Sequence, residues 1–118
     1  MNNYKNLKVW QKSMDLVEMI YNITKSFPRE EIYGITSQIQ RSAVSIPSNI
    51  AEGAGRNSEK QFCYFLSIAN GSAYELNTQL LLAIRLGYTS KDQTKGILEL
   101  LNEIEKMCFV LIKKLSKE

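Results

Sequence analysis

Two carboxylates, Glu52 and Glu75, sit in or beside apolar helical stretches, the setting in which a carboxyl group can be tuned for general acid–base work. The partners such chemistry needs are missing. The chain has no histidine, which removes imidazole triads, histidine metal ligands and the ordinary pH switch together. Its two cysteines, Cys63 and Cys108, fall within helical hydrophobic patterns, away from metal-ligand spacing, and read as buried thiols. Arg41 and Arg56 are available to pair with the two carboxylates through forks that fix helix register or a subunit interface. Asn49 and Glu52, three residues apart, would face the same way and join that network. Arg41, Asn49, Glu52 and Glu75 are therefore assigned to structure and interface. The expectation is a non-enzymatic protein with no catalytic residue, metal, cofactor or small-molecule substrate.

Basic residues suggest a different chemistry. They group as Lys5, Lys8 and Lys12 with one-face spacing, as Arg29, Arg41, Arg56 and Lys60 around the second helix, and as Lys113, Lys114 and Lys117 near the C-terminus. Each group could contact phosphates, with an affinity that falls as salt rises. Each also fits a solvated helix face, and the C-terminal lysines complement a helix dipole. Lys8, Lys12, Arg56 and Lys60 are the candidate nucleic-acid contacts. The glycine pair Gly53 and Gly55 before Arg56 superficially resembles a phosphate cradle, but it lacks the Walker lysine and a preceding strand. Gly71-Ser72-Ala73 reads as a small-residue notch for a close helix approach.

These side chains are positioned by four helical segments. In the first, Leu7, Trp10, Met14, Val17, Tyr21 and Thr24 form one seam and Leu16, Ile20, Ile23 and Phe27 a second, ending near Pro28. The second carries Ile35, Ile39, Ala43, Ile46 and Ile50, with Pro47 inside the pattern. An interior proline costs roughly 3 kcal/mol, and Ser42, Ser45, Ser48 and Asn49 could satisfy the freed backbone groups, so a proline-kinked helix is expected. It should close at Gly53-Ala54-Gly55 with a left-handed glycine. Ser58 and Gln61 open a third helix with core positions Phe62, Leu66, Ala69, Ala73, Leu76, Leu80 and Ala83; Ser90 and Gln93 open a fourth with Ile97, Leu101, Ile104, Cys108, Leu111 and Leu115. Short links make consecutive helices antiparallel. The fold class is all-α, an up-and-down antiparallel four-helix bundle.

The chain's 118 residues, 44% apolar and 23% charged, suit one soluble domain spanning residues 1–118. No signal peptide or membrane span is evident, so a cytoplasmic location and no membrane partner are expected. A formal charge of +3 is compatible with nucleic acid without requiring it. Phe65, Ile68, Tyr74, Leu81, Leu82, Leu100, Phe109 and Ile112 leave more apolar surface than four helices can hide, which predicts self-association.

The pieces NLKVWQKSMDLVEMIY, FPREEIYGITSQIQRSAVSIPSNIAEGAGR and FLSIANGSAYELNTQL resemble the bacterial four-helix-bundle proteins encoded by 23S ribosomal RNA intervening sequences, the S23 ribosomal proteins. The resemblance covers nearly the whole chain, and the fourth helix matches in pattern more than in sequence. It implies a left-handed bundle, assembly into a homopentamer, and kinship with the accessory protein of diversity-generating retroelements, a basic pentamer that binds nucleic acid and a reverse transcriptase. Arg41, Asn49, Glu52, Gly53, Arg56 and Glu75 occupy the family's motif positions, and the family brings no catalytic residues with it. The leading functional expectation is an oligomeric module that binds structured RNA or a ribonucleoprotein. The alternative is a protein-binding scaffold with no nucleic-acid affinity.

Overall fold

In a computed structural model that describes residues 3–116, the chain forms α1 (Lys8–Thr24), α2 (Ile35–Ala54), α3 (Glu59–Arg85) and α4 (Lys91–Leu115). Single 3₁₀ turns at Tyr4–Asn6 and Arg29–Glu31 precede α1 and α2. No strand occurs among the described residues. Each helix packs on two neighbours in the cycle α1–α2–α3–α4–α1, and no diagonal pair meets. That is an up-and-down antiparallel four-helix bundle. The rod measures 46 × 22 × 20 Å, its length set by α3, whose 27 residues rise about 40 Å at 1.5 Å each. Among the described residues no helix is long and apolar enough to cross a membrane.

The helix boundaries follow from side-chain chemistry. Ser58 Oγ accepts the Gln61 backbone N–H at 3.1 Å, and Ser90 Oγ accepts that of Gln93 at 3.1 Å, so both expected N-caps form. At the end of α3, Gly87 takes φ +81°, Tyr88 N–H reaches the Ala83 carbonyl at 3.0 Å and Gly87 N–H that of Ile84 at 3.0 Å. This pair of bonds is a Schellman cap. The left-handed glycine expected at the end of α2 does not occur: Gly55 keeps φ −81°, and Gly53 lies within the helix. An ordinary turn suffices there because Gly55 and Arg56 N–H groups still find the Ala51 and Gly53 carbonyls.

α2 runs through Pro47 as one continuous helix. The carbonyl that Pro47 leaves without its donor is that of Ala43, and none of the four polar side chains bonds it; Asn49 instead reinforces the next turn. Its amide donates to the Ser45 carbonyl at 2.8 Å and to Ser45 Oγ at 2.9 Å. Pro47 itself is buried among core residues, so its ring replaces a backbone donor with apolar packing.

The core is a stack of fully buried aliphatic side chains capped by Phe62 and Phe27. All seven expected α3 positions are buried. In α1 most of the expected first seam is the rim, and of its six members only Thr24 is buried. Met14 and Tyr21 are 42% and 44% exposed, while Val9, Ser13, Leu16, Ile20 and Thr24 face inward. Ser13 and Thr24 can occupy core positions because their hydroxyls donate to the carbonyls of Val9 and Ile20 one turn back, at 2.6 and 2.9 Å.

The small-residue notch also lies elsewhere than expected. A Cβ on Gly71 would meet nothing within 4 Å, whereas a Cβ on Gly53 would stand 2.8 Å from Phe65 Cβ and 3.0 Å from Phe62 Cδ1. At Gly53 α3 packs directly against the α2 backbone.

Candidate nucleic-acid interface and the polar seam beside it

Antiparallel topology places the start of α1, the end of α2, the start of α3 and the end of α4 at one end of the rod. Lys5 and Lys8, Arg56, Lys60, and Lys113 and Lys114 therefore converge from stretches far apart in sequence. Within two turns of that end the carboxylates of the described residues are Asp15, Glu52 and Glu59. Two helix N-termini and two C-termini meet here, so their dipoles largely cancel and side chains set the local charge. Lys117 lies outside the described residues.

Of the expected contacts, Lys8 and Lys60 are exposed with no carboxylate at ion-pair distance among the described residues. Lys12 is half-buried and pairs with Glu103 of α4 at 3.1 Å. Arg56 pairs with Glu52 one turn back and lies 5.0 Å from the Phe65 ring centroid. Exposed pairs of this kind are worth about 0–1 kcal/mol, so a phosphate can compete for either cation. The second basic group does not stay together. Arg29 and Arg41 belong to the opposite end, since the 15 residues from Arg41 to Arg56 span about 22 Å of helix. Periodicity along α2 could not reveal that separation without the direction of the neighbouring helices.

The interface residues gather along the α2–α3 seam. Arg41 and Glu75 line one groove of about 310 Å³ with Gln38, Ser42, Ser45, Ser72 and Gln79. Ser45 and Ser72 hydroxyls share a hydrogen bond of 2.8 Å across it, continued by the Asn49 amide. Arg41 and Glu75 form no ion pair there; the expected fork exists only between Arg56 and Glu52. Gln79 Oε1 is buried without a partner in this seam. Its fourteen-residue distance from Phe65 was the available signal, because Phe65, Ile68, Ser72, Glu75 and Gln79 repeat at helical spacing on one face of α3.

Glu52 and Glu75 do not converge as an acid–base pair. Arg56 ties Glu52 to the Phe65 level, and Glu75 lies ten residues further along α3, about 15 Å. Burial raises the Cys108 thiol to about 12, which leaves it protonated and inert. Cys63 is half-buried rather than buried, and its thiol donates to the Ile112 carbonyl at 3.4 Å.

Comparison with known proteins now adds the decisive observation. The sequence profile described as 23S rRNA-intervening sequence protein matches residues 5–109. The chain belongs to that family. A crystal structure of an S23 ribosomal protein family member from Bacteroides thetaiotaomicron VPI-5482, a protein of unknown function, superimposes with a TM-score of 0.82 at 33% identity. The alignment covers 89% of this chain and 98% of the other. No curated protein sequence matches. For this intervening-sequence protein the family match spans α1 to α3 and most of α4, so it contains the polar seam and, of the basic end, Lys5, Lys8, Arg56 and Lys60 but not Lys113 and Lys114.

Two features escaped the sequence reading. Lys106, one of the cations of α4, stands beside Lys8 and Lys114 along an apolar groove. Glu105 of the same helix is half-buried, with Oε2 unpartnered; burial raises its carboxyl above the ordinary range, against a lowering hydrogen bond from Asn77.

Proposed function

We propose that this protein is a non-enzymatic, self-assembling module that binds structured RNA, alone or within a ribonucleoprotein, through the basic end of its bundle. One observation carries the reading: cations from the two chain-terminal helices and the α2–α3 corner meet at a single end where few carboxylates oppose them. Arg41, Asn49, Glu52 and Glu75 then serve folding and contacts between copies. Tyr74, Leu81 and Phe109 are 56, 51 and 56% exposed along α3 and α4, and covering them is the gain from assembly, a homopentamer by family resemblance. A ring would repeat each basic end and multiply weak phosphate contacts. Family membership is compatible with a cytoplasmic, RNA-linked setting.

The test is retention of a structured RNA hairpin by a variant carrying Lys8→Glu, Lys12→Glu, Arg56→Glu and Lys60→Glu, beside a control with Lys91→Glu and Lys95→Glu at the opposite end. The first variant should lose RNA at unchanged oligomeric mass, and the control should keep it. Equal retention by both would remove the basic end as the binding surface. A scaffold without RNA affinity is the second reading, supported by the same exposed apolar side chains. Nuclease treatment before affinity capture separates the two, since a scaffold keeps its partners.

A further inference from the structure

A groove between the start of α1 and the last turns of α4 combines an aliphatic lining with lysines. Its floor is Leu7, Val9, Met107, Val110 and Leu111, and its volume is about 380 Å³. Val110 is 59% exposed, so a solvent-facing aliphatic side chain lines it. Three lysines, Lys8, Lys106 and Lys114, form the rim, and none of them lies at ion-pair distance from a carboxylate among the described residues. Toward the middle of the bundle, Lys12–Glu103 bridges the same two helices, so the nearest acidic group of α4 on this side is already engaged.

An apolar trough whose lysine rim has no ion-pair partner among the described residues has a defined complement. Nucleic acid would satisfy the lysines and leave the aliphatic floor wet; a neutral apolar segment would bury the floor and strand the charges. An amphipathic helix with aliphatic anchors and flanking carboxylates satisfies both. The dimensions agree. Lys106 and Lys114 are eight residues apart, about 12 Å along α4, and anchors at i, i+3 and i+7 of a docked helix span about 10 Å.

We propose that this groove docks an acidic amphipathic helix of a protein partner. The proposal does not rest on the RNA reading, although Lys8 and Lys114 border both surfaces. It makes the α1–α4 edge a protein-recognition site next to the phosphate-facing corner at Arg56 and Lys60.

Fluorescence anisotropy tests it with a labelled helical peptide bearing leucines at i, i+3 and i+7 and glutamates beside them, and with the same peptide carrying lysines for the glutamates. The acidic peptide should saturate, and the lysine peptide should bind at least about tenfold more weakly. Val110→Asp should weaken the acidic peptide by at least about tenfold, with circular dichroism and Tm unchanged because the side chain is exposed. Arg56→Glu with Lys60→Glu should leave the peptide affinity intact, even though it weakens RNA binding under the preceding proposal. Four results would each overturn the inference. They are no saturation with millimolar peptide, equal binding of the two peptides, indifference to Val110→Asp, or a fall in oligomeric mass in that variant, which would assign the groove to a second copy. Displacement of the peptide by RNA together with loss of RNA binding in Val110→Asp would assign the groove to RNA instead.

Discussion

The α2–α3 and α1–α4 pairs use similar helical seams, yet the first closes and the second stays open. In α2–α3 the contact point is Gly53, whose missing side chain lets the backbone approach Phe62 and Phe65, and the pair is joined by the short link Gly55–Ser58. Above that contact, Ser45 and Ser72 share a hydrogen bond across the seam. In α1–α4 no link joins the two helices, Leu7 and Leu111 are only half-buried, and long lysines stand where small residues would be needed for closure. The distance between helices is set by the side chains at their contact. One pair therefore carries stability, and the other leaves surface for partners.

Substitutions can break that contrast, and the largest expected effect is at the closed pair. Phe62→Ala removes a fully buried ring packed at Gly53 and should cost about 3–5 kcal/mol in denaturant unfolding. Gly53→Ala forces a Cβ into atoms 2.8 and 3.0 Å away and should destabilise by about 1–2 kcal/mol after the helix-propensity gain. Gly71→Ala, where nothing lies within 4 Å, should instead stabilise by about 0.5–1 kcal/mol. If both glycine variants moved Tm the same way, the claim that Gly53 alone marks a close approach would fail. At the open pair, Val110→Ala should change stability by less than about 0.5 kcal/mol.

The smallest expected effect depends on pH. Folding holds the Glu105 carboxyl above its unfolded value because of burial, so the folded state favours the protonated form. That contribution is complete below the unfolded carboxylate range and is lost as pH rises through the raised value. Glu105→Gln should therefore raise Tm slightly at neutral pH and match the wild type in acid. An equal difference at both pH values would mean that ionisation plays no part.

Much of the bundle was legible because Phe62, Leu66, Ala69, Ala73, Leu76, Leu80 and Ala83 keep an unbroken helical repeat and because Ser58 and Ser90 announce their helices. What could not be read along the chain depended on contacts between segments. Ser13 enters the core only because the Val9 carbonyl one turn back accepts its hydroxyl, a compensation that hydrophobic counting does not register. In sequence Gly53 reads as part of a helix end and Gly71 as a close-approach notch, and only the position of α3 shows that Gly53 is the crowded one. The site followed the same rule. Of the residues at the family's motif positions, Arg41 and Glu75 line the α2–α3 groove without pairing, Asn49 bonds Ser45 beside it, and Glu52 pairs with Arg56. Arg29 and Arg41 fell away from Arg56 and Lys60 once topology assigned each helix a direction, while Lys106 joined Lys8 through a contact between the first and last helices.

The most direct test of the central claim is fluorescence anisotropy of the assembled protein with a structured RNA hairpin over a series of salt concentrations. The account predicts binding at low salt whose log affinity falls linearly with log salt, with a shallower slope after Arg56→Glu and Lys60→Glu as phosphate contacts are lost. Absence of binding at low salt, or a slope unchanged by those substitutions, would contradict a phosphate-contacting basic end.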